Sequence, residues 1–92
     1  MYLLRCADGT LYVGQTNDLA AREALHNAGH GARYTARRRP VRIVHAEVYA
    51  SAKDALARER QLEGWTTHKK EALVSGSPHL RGIVRRIRIE RG

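Results

Sequence analysis

Two short β-prone runs at the start of the chain, joined by an Asp-Gly pair, constrain the fold more than any other feature. The runs YLLRC (2–6) and TLYVG (10–14) flank the pair Asp8-Gly9. An Asp-Gly pair between apolar runs is a strong hairpin signal, because glycine supplies the positive φ angle that a tight turn needs. The sequence therefore predicts an antiparallel β-hairpin over residues 2–14.

After the hairpin the pattern becomes helical. Asn17 or Asp18 can cap a helix that runs to about Asn27, with Gly29 as its stop. Apolar side chains recur in it at i, i+3, i+4 and i+7: Ala21, Ala24, Leu25 and Ala28. This spacing predicts that the alanine and leucine stripe faces the core.

The later elements predict one more strand and two more helices. A glycine-spaced basic loop over 29–40 leads to a strand over 41–49. Ser51 then opens a helix that ends at Gly64, and a third, short helix starts at Thr66 or Thr67 and ends near Val74. The order ββαβαα predicts an α+β domain, in which three helices flank a small three-stranded antiparallel sheet.

The length allows one domain. A second domain would need roughly another 100 residues, and the chain has 92. We expect the domain to span residues 1–76, because the Ser-Gly-Ser-Pro break follows the last helix. Residues 77–92 form a basic tail whose apolar spacing fits a helix in one part and a strand in another, so its structure stays open.

The charge favours a polyanionic partner. Seventeen Lys and Arg residues against nine Asp and Glu residues give a formal net charge of +8. Such a balance favours nucleic acid through counterion release, although a basic domain with no nucleic-acid role remains the alternative. The single cysteine, Cys6, excludes an internal disulfide, and no apolar run approaches the roughly 20 residues needed to span a bilayer. We therefore expect a cytoplasmic protein that does not enter the membrane.

Two tyrosines and a helical Arg-His pair are the first candidates for chemistry. Tyr2 and Tyr12 lie on facing strands of the predicted hairpin, where their side chains can approach one another. Arg22 and His26 are four residues apart and point the same way from the first helix. Arginine suits a phosphate, and imidazole can move a proton near neutral pH. Taken singly, these residues fit packing aromatics and a solvated helix face better than they fit a catalytic role.

Glu59 is a sharper anomaly. It lies on the apolar stripe of the second helix, which comprises Ala52, Ala55, Leu56 and Leu62. An isolated charge on a core-facing stripe is costly, so the carboxylate must be paired, protonated or bound to a cation. The partner is either one of the basic side chains or a hard cation such as Mg²⁺, which takes oxygen ligands and keeps several waters.

Other catalytic classes lack their signatures. The five histidines show no zinc-site spacing in a chain with one cysteine. The chain has no glycine-rich phosphate loop and no Gly-Xaa-Ser-Xaa-Gly nucleophile elbow. Zinc enzymes, nucleotide-binding enzymes of these loop classes and serine hydrolases of the elbow type are therefore disfavoured.

An ordered set of residues resembles a known family. The set comprises Tyr2, Tyr12-Val13-Gly14, Thr16, Arg22, His26-Asn27, 31–35, 39–41, Glu47, 55–62 and 65–73. In this order and spacing, it resembles the GIY-YIG endonuclease domain, and more closely the small single-domain bacterial branch of that family. Tyr2 stands where the family has its GIY tyrosine, and 12–14 stand as its YIG triplet. The resemblance spans residues 2–74.

The resemblance implies hydrolysis of phosphodiester bonds with one divalent ion. Glu59 would hold Mg²⁺ or Mn²⁺ against the scissile phosphate, and Arg22 would brace the phosphate as charge grows. Tyr12 or Tyr2, assisted by His26, would position or deprotonate the attacking water. The nucleic-acid backbone would be held by Thr16, Arg33, Arg37, Arg38, Arg39 and Arg42. We expect DNA rather than RNA, structured or damaged, and a protein partner is possible.

Two departures from the family pattern leave alternatives open. The chain begins one residue before Tyr2, so we expect Tyr2 to lie on a frayed terminus. Glu63 stands where the family often has lysine, which removes a basic contact near the substrate path. A catalytically weak nucleic-acid-binding module on the same fold is therefore the second hypothesis. The third is a structural protein in which Glu59 neutralises a buried arginine.

Overall fold

A computed structural model describes residues 1–76, which form a three-stranded antiparallel sheet and four helices. The elements are β1 (Tyr2–Arg5), β2 (Leu11–Gly14), α1 (Leu19–Asn27), α2 (Arg33–Ala36), β3 (Arg42–Ala46), α3 (Ala52–Glu63) and α4 (Thr67–Ser75). The predicted α+β architecture is confirmed. The structure adds the one-turn helix α2 within the stretch predicted to be a loop, and the predicted tail over 77–92 lies outside the described residues.

The sheet has the order β2-β1-β3, so the first strand is the central one. Tyr2 pairs with Gly14 on one side and with Ala46 on the other. Only 2% of Tyr2 is exposed, and the neighbouring Met1 carbonyl accepts a hydrogen bond from the Glu47 N–H at 2.9 Å. The expectation that Tyr2 lies on a frayed terminus is therefore wrong, because β1 is held by strands on both sides.

The hairpin turn forms where the sequence predicted it. Gly9 has a φ of +88°, the left-handed conformation that glycine adopts without steric cost. The Asp8 carboxylate accepts hydrogen bonds from both the N–H and the hydroxyl of Thr10, at 3.1 and 2.6 Å. These local bonds fix the register of β1 against β2.

The sheet separates two small cores. One cluster consists of Tyr2, Leu4, Cys6, Leu19, Val41 and Ile43 and includes the first residue of α1. The other consists of Met1, Leu3, Val13 and Leu62 of α3, with Trp65 from the turn after α3 and Leu73 and Val74 from α4 packed against it. Each layer therefore buries one face of the sheet, as a two-faced α+β domain requires.

The predicted core face of α1 is wrong. The stripe of Ala21, Ala24, Leu25 and Ala28 is exposed, whereas Leu19 and His26 are the buried residues of the helix. Polar contacts to β3 orient the helix this way. The Asn27 amide bonds both the N–H and the carbonyl of Val41 at 2.8 Å, and the Glu23 carboxylate accepts from the Ile43 N–H at 2.8 Å. Because backbone N–H and carbonyl groups need hydrogen-bond partners, these contacts set the orientation of α1, which the apolar spacing predicted wrongly.

The helix starts follow the sequence closely. Asp18, Ser51 and Thr66 cap α1, α3 and α4, each accepting a hydrogen bond from an N–H three residues later. The third strand is shorter than predicted, covering Arg42–Ala46 only. Within the described residues, no helix is long and apolar enough to cross a membrane.

The predicted stripe of α3 is confirmed in part. Ala55 and Leu62 are buried, Leu56 and Glu59 are half-buried, and Ala52 is exposed. Glu59 therefore lies at the border of the buried face. The surrounding protein partly desolvates its carboxylate, which still reaches solvent.

Candidate functional site

His26 is the buried centre of the candidate site. Only 1% of it is exposed, and both of its ring nitrogens have partners. Its Nε2 lies 2.9 Å from the Tyr2 hydroxyl oxygen, and its Nδ1 lies 2.8 Å from the Thr35 hydroxyl oxygen. The Thr35 hydroxyl in turn donates to the Ala32 carbonyl at 3.1 Å. Thr35, the one buried residue of α2, therefore contacts the imidazole and holds α2 against it.

Two glycines make room for this cluster. A Cβ at Gly14 would collide with the hydroxyl of Tyr2, and a Cβ at Gly31 would collide with Nδ1 of His26. Neither glycine has a positive φ, so the requirement is close approach rather than backbone conformation. The last residue of the Tyr12-Val13-Gly14 triplet is thus a packing requirement of Tyr2.

An aromatic series extends from His26 to the surface. The Tyr12 ring lies 5.4 Å from the His26 ring in an edge-on arrangement, and it stacks on Tyr34 at 6.1 Å. The Arg38 guanidinium covers the Tyr34 ring at 3.8 Å and pairs with the Asp8 carboxylate at 3.0 Å. These contacts hold Tyr12 half-exposed, with its ring in a fixed orientation.

The electrostatics of the cluster follow from burial and from two nearby charges. Burial raises the pKa of Tyr2 above its ordinary value, and Tyr12 and Glu59 raise it further, whereas Arg22 opposes the shift. Burial also raises the pKa of Tyr12, with Glu59 adding to the effect and Arg22 opposing it. Burial and Arg22 lower the pKa of His26. At neutral pH, the tyrosines are therefore protonated and the imidazole is neutral. Arg22 and Glu59 thus have opposite effects on the pKa values of both tyrosines.

Glu59 makes no ion pair with a basic side chain in the part of the chain that the structure describes. Burial raises the pKa of its carboxyl group, and the neighbouring Glu63 raises it further. Residues 1–76 contain no cluster of three or more His, Cys, Asp or Glu side chains arranged as a metal cage. A carboxylate that lacks a neutralising partner suits a hard cation that keeps several of its waters, so the donor chemistry fits Mg²⁺ or Mn²⁺.

The predicted nucleic-acid contacts separate into three groups. Arg38 and Arg39 are tied into the fold, since Arg39 donates to the Ala36 carbonyl at 2.9 Å. Thr16 caps the turn before α1 through the Asp18 N–H at 3.2 Å. The remaining three predicted contacts, Arg33, Arg37 and Arg42, are exposed.

Arg42 is not brought together with the others. It pairs with Arg5, whereas the next residue, Ile43, pairs with Leu4, which pairs with Tyr12 on the other side. Because neighbouring strand residues point to opposite faces, Arg42 lies on the opposite face of the sheet from Tyr12. It also lies on the opposite edge strand.

One cavity of the described chain is separate from this cluster. It has a volume of about 260 Å³ and lies between the loop after β2 and the start of α3. Thr16 is the one predicted site residue in its lining, and none of Tyr2, Tyr12, Arg22, His26 and Glu59 contributes. The candidate site is therefore a surface cluster around Tyr12 and Glu59 rather than a pocket.

Sequence reasoning missed Thr35 and Tyr34 as site residues. Both belong to the stretch 31–35, which entered only through the family resemblance. No periodicity connects Thr35 with His26, which is nine residues away along the chain. The glycine at position 31 was the available signal, because its missing side chain is what allows the approach.

The comparisons with known proteins show the family to which the chain belongs. The model of the GIY-YIG catalytic domain matches residues 1–72, so the chain belongs to the GIY-YIG family. Among its relatives, a UPF0213 protein of Bacillus pumilus is 45% identical, covering 79% of this chain and 74% of the relative. A UPF0213 protein of Lacticaseibacillus paracasei is 48% identical, covering 79% and 82%. One from Staphylococcus aureus is 43% identical, covering 80% and 90%. No solved structure matches.

Proposed function

We propose that this protein is a divalent-metal-dependent endonuclease that hydrolyses phosphodiester bonds in nucleic acid. The observation that carries the proposal is Glu59, a half-buried carboxylate without an ion pair in the described chain, close enough to Tyr2 and Tyr12 to shift both of their pKa values. Arg22 acts on the same two rings from α1. Membership of the GIY-YIG family supports a nuclease reaction at this cluster.

The exposure of each tyrosine indicates its role in the proposed reaction. Tyr12 is half-exposed and would contact the attacking water, whereas Tyr2 is buried and would act through its hydrogen bond to His26. Arg22 would hold the phosphate through its planar fork of donors. When bound at Glu59, Mg²⁺ or Mn²⁺ would supply charge neutralisation at the scissile phosphate.

The substrate that fits the charge pattern is DNA, in a structured or damaged form, within the cytoplasm. The net charge of +8 favours backbone contacts, and Arg33 and Arg37 are exposed close to Tyr34 on the α2 side of the site. Backbone contacts position a nucleic acid without selecting a base sequence. Any choice of sequence would then come from a protein partner.

A nucleic-acid-binding module with weak catalysis is the second candidate. One observation favours it: the pKa of both tyrosine hydroxyls is raised rather than lowered, so neither is a strong base in the protein alone. Catalysis would then depend on a bound cation that lowers the pKa of a tyrosine or of the water.

The test is cleavage of labelled single-stranded, duplex, flapped and four-way-junction DNAs with Mg²⁺, Mn²⁺ or EDTA. We expect metal-dependent cuts by the wild type and a loss of at least about 100-fold in Glu59→Gln, since metal stabilisation of a transition state is worth several kcal/mol. Asp54→Asn is the matched control, because it removes an exposed carboxylate from the same helix and leaves the cluster intact.

Two results would contradict the nuclease proposal. One is salt-sensitive DNA binding without cuts under any metal, which would establish the binding module instead. The other is cleavage that survives Glu59→Gln unchanged, which would place the reaction elsewhere.

A further inference from the structure

We infer that Thr35 is a positioning residue that locks His26 in the tautomer with its proton on Nδ1, so that Nε2 accepts a hydrogen bond from the Tyr2 hydroxyl. The direction of these bonds follows from the hydrogen-bond geometry around a neutral imidazole, and only its catalytic consequence rests on the proposed function. The inference deepens that function by assigning the donor and acceptor of each hydrogen bond at His26.

The first step is the Thr35 hydroxyl, which has one proton to donate. The Ala32 carbonyl lies 3.1 Å from it and can only accept. The hydroxyl proton therefore points to Ala32, and the same oxygen meets Nδ1 of His26 at 2.8 Å as an acceptor. It follows that Nδ1 carries a proton.

The second step is the other side of the ring. A neutral imidazole with its proton on Nδ1 has a lone pair on Nε2, which lies 2.9 Å from the Tyr2 hydroxyl oxygen. Tyr2 therefore donates to His26. Arg22, which can only donate, is near enough to lower the pKa of Tyr2 and offers its hydroxyl proton no competing acceptor.

The opposite tautomer would leave the cluster with fewer bonds. With the proton on Nε2, Tyr2 would accept from His26, and the Tyr2 proton would have no acceptor among the hydrogen bonds of residues 1–76. Thr35 would also have to turn its proton from Ala32 to Nδ1. Both hydroxyls are in buried residues, where an unmade hydrogen bond is costly. In the Nδ1–H tautomer, every donor in the series has an acceptor, and no buried side-chain polar atom of the described chain lacks a partner.

Two further features favour the contact between Thr35 and His26 Nδ1. Thr35 is 0% exposed and is the buried residue of the one-turn helix α2, and Gly31 removes the side chain that would collide with Nδ1. The lower pKa of His26, caused first by burial, keeps the ring neutral and able to accept at Nε2. In the reaction, the Tyr2 hydroxyl would stay oriented as a donor to Nε2, because the Thr35 bond fixes the proton of the ring on Nδ1.

The test is the tautomer of His26, measured by ¹H–¹⁵N correlation spectra of the imidazole rings. In the wild type, we expect a pyrrole-like shift at Nδ1 and a pyridine-like shift at Nε2. Thr35→Ser keeps the hydroxyl and should retain this pattern. Thr35→Val keeps the shape without the hydroxyl, and it should mix or reverse the two shifts.

A wild-type spectrum with the proton on Nε2 would overturn the inference, as would a folded Thr35→Val with unchanged shifts. If Thr35→Val fails to fold, the wild-type spectrum and Thr35→Ser still decide the direction of the bonds. The spectra need no activity, so a wild type that does not cleave DNA would contradict the proposed function and leave this measurement valid.

The catalytic consequence has its own readout. In a wild type that cleaves DNA, Thr35→Val should lower kcat about tenfold at unchanged KM, since one hydrogen bond to the ring is lost. Thr35→Ser should restore kcat. An unchanged kcat in a Thr35→Val protein whose tautomer has switched would show that the tautomer does not matter for the reaction.

Discussion

Glu47 and Glu59 are both half-buried glutamates, and the structure treats them in opposite ways. The Glu47 carboxylate, just after β3, accepts hydrogen bonds from Arg58 Nε at 2.8 Å, Tyr49 Oη at 2.6 Å and His45 Nε2 at 2.9 Å. Glu59 follows Arg58 directly along α3 but has no ion pair in the described chain. Arg58, which directly precedes Glu59 in α3, bonds the Glu47 carboxylate instead.

The pKa values record this difference. Burial by itself would raise the pKa of Glu47, but hydrogen bonds from Arg58, Tyr49 and His45 outweigh burial and hold it at about 2. For Glu59, burial and Glu63 both act to raise the pKa. Two carboxylates at similar depth thus have different roles. Glu47 joins α3 to the end of β3, whereas the desolvated carboxyl group of Glu59 is the one proposed to bind a cation.

The largest effect that separates the two is stabilisation by metal. At a concentration 100 times the dissociation constant, a metal ion bound to the folded state alone adds about 2.7 kcal/mol to the free energy of unfolding. We expect Mg²⁺ or Mn²⁺ to raise the melting temperature of the wild type and of Glu47→Gln, but not of Glu59→Gln. Thermal unfolding with and without EDTA measures the shift. An equal rise in the melting temperature of Glu59→Gln would show that the metal does not bind at Glu59.

The next effect is the loss of the Glu47 anchor. Glu47→Gln should lower the free energy of unfolding at pH 7 by about 2 kcal/mol, since it weakens hydrogen bonds that involve charged groups. The folded pKa of about 2 lies below the ordinary value of 4.5, so this stabilisation is present above pH 4.5 and is lost between pH 4.5 and pH 2. Urea unfolding of both proteins across this interval should show the difference shrinking toward zero. A difference that stays constant with pH would mean that Glu47 acts through packing alone.

The smallest effect has the opposite sign. Without metal, Glu59→Gln should raise the free energy of unfolding at pH 7 by about 0.2–0.5 kcal/mol, the usual cost of like charges four residues apart on a helix. Because the folded pKa of Glu59 is raised, its ionised form is the unfavourable one, and the gain should disappear in acid. Urea unfolding in EDTA measures it. A clear loss of stability would instead reveal a cationic partner and favour the structural hypothesis.

Much of the candidate site could be predicted because the family pattern is ordered along the chain. The pattern selected Tyr2, Tyr12, Arg22, His26 and Glu59, and in the structure these groups are near enough to affect one another's pKa values. Their catalytic roles stay a prediction. The same pattern did not indicate which arginines are available to contact nucleic acid. Arg38, for example, pairs with Asp8 and covers the Tyr34 ring.

The face of α1 illustrates the limit of periodicity. Alanines and a leucine at helical spacing predicted one face, but the helix buries His26 and leaves Leu25 40% exposed. Alanine gains little from burial, whereas Asn27 bonds the backbone of Val41 just before β3, and Glu23 accepts from the Ile43 N–H within it. A few polar contacts therefore outweighed a weak apolar stripe.

By itself, the sequence determined the Asp8-Gly9 hairpin and the caps at Asp18, Ser51 and Thr66, because each depends on hydrogen bonds between residues two or three apart. Only the tertiary structure decided which side chains complete the buried polar groups. Tyr2 meets His26 across 24 residues, and Glu47 meets Arg58 across 11. Such partners are selected by the cost of leaving a polar group unsatisfied in the interior, a cost that arises only after the layers have packed together.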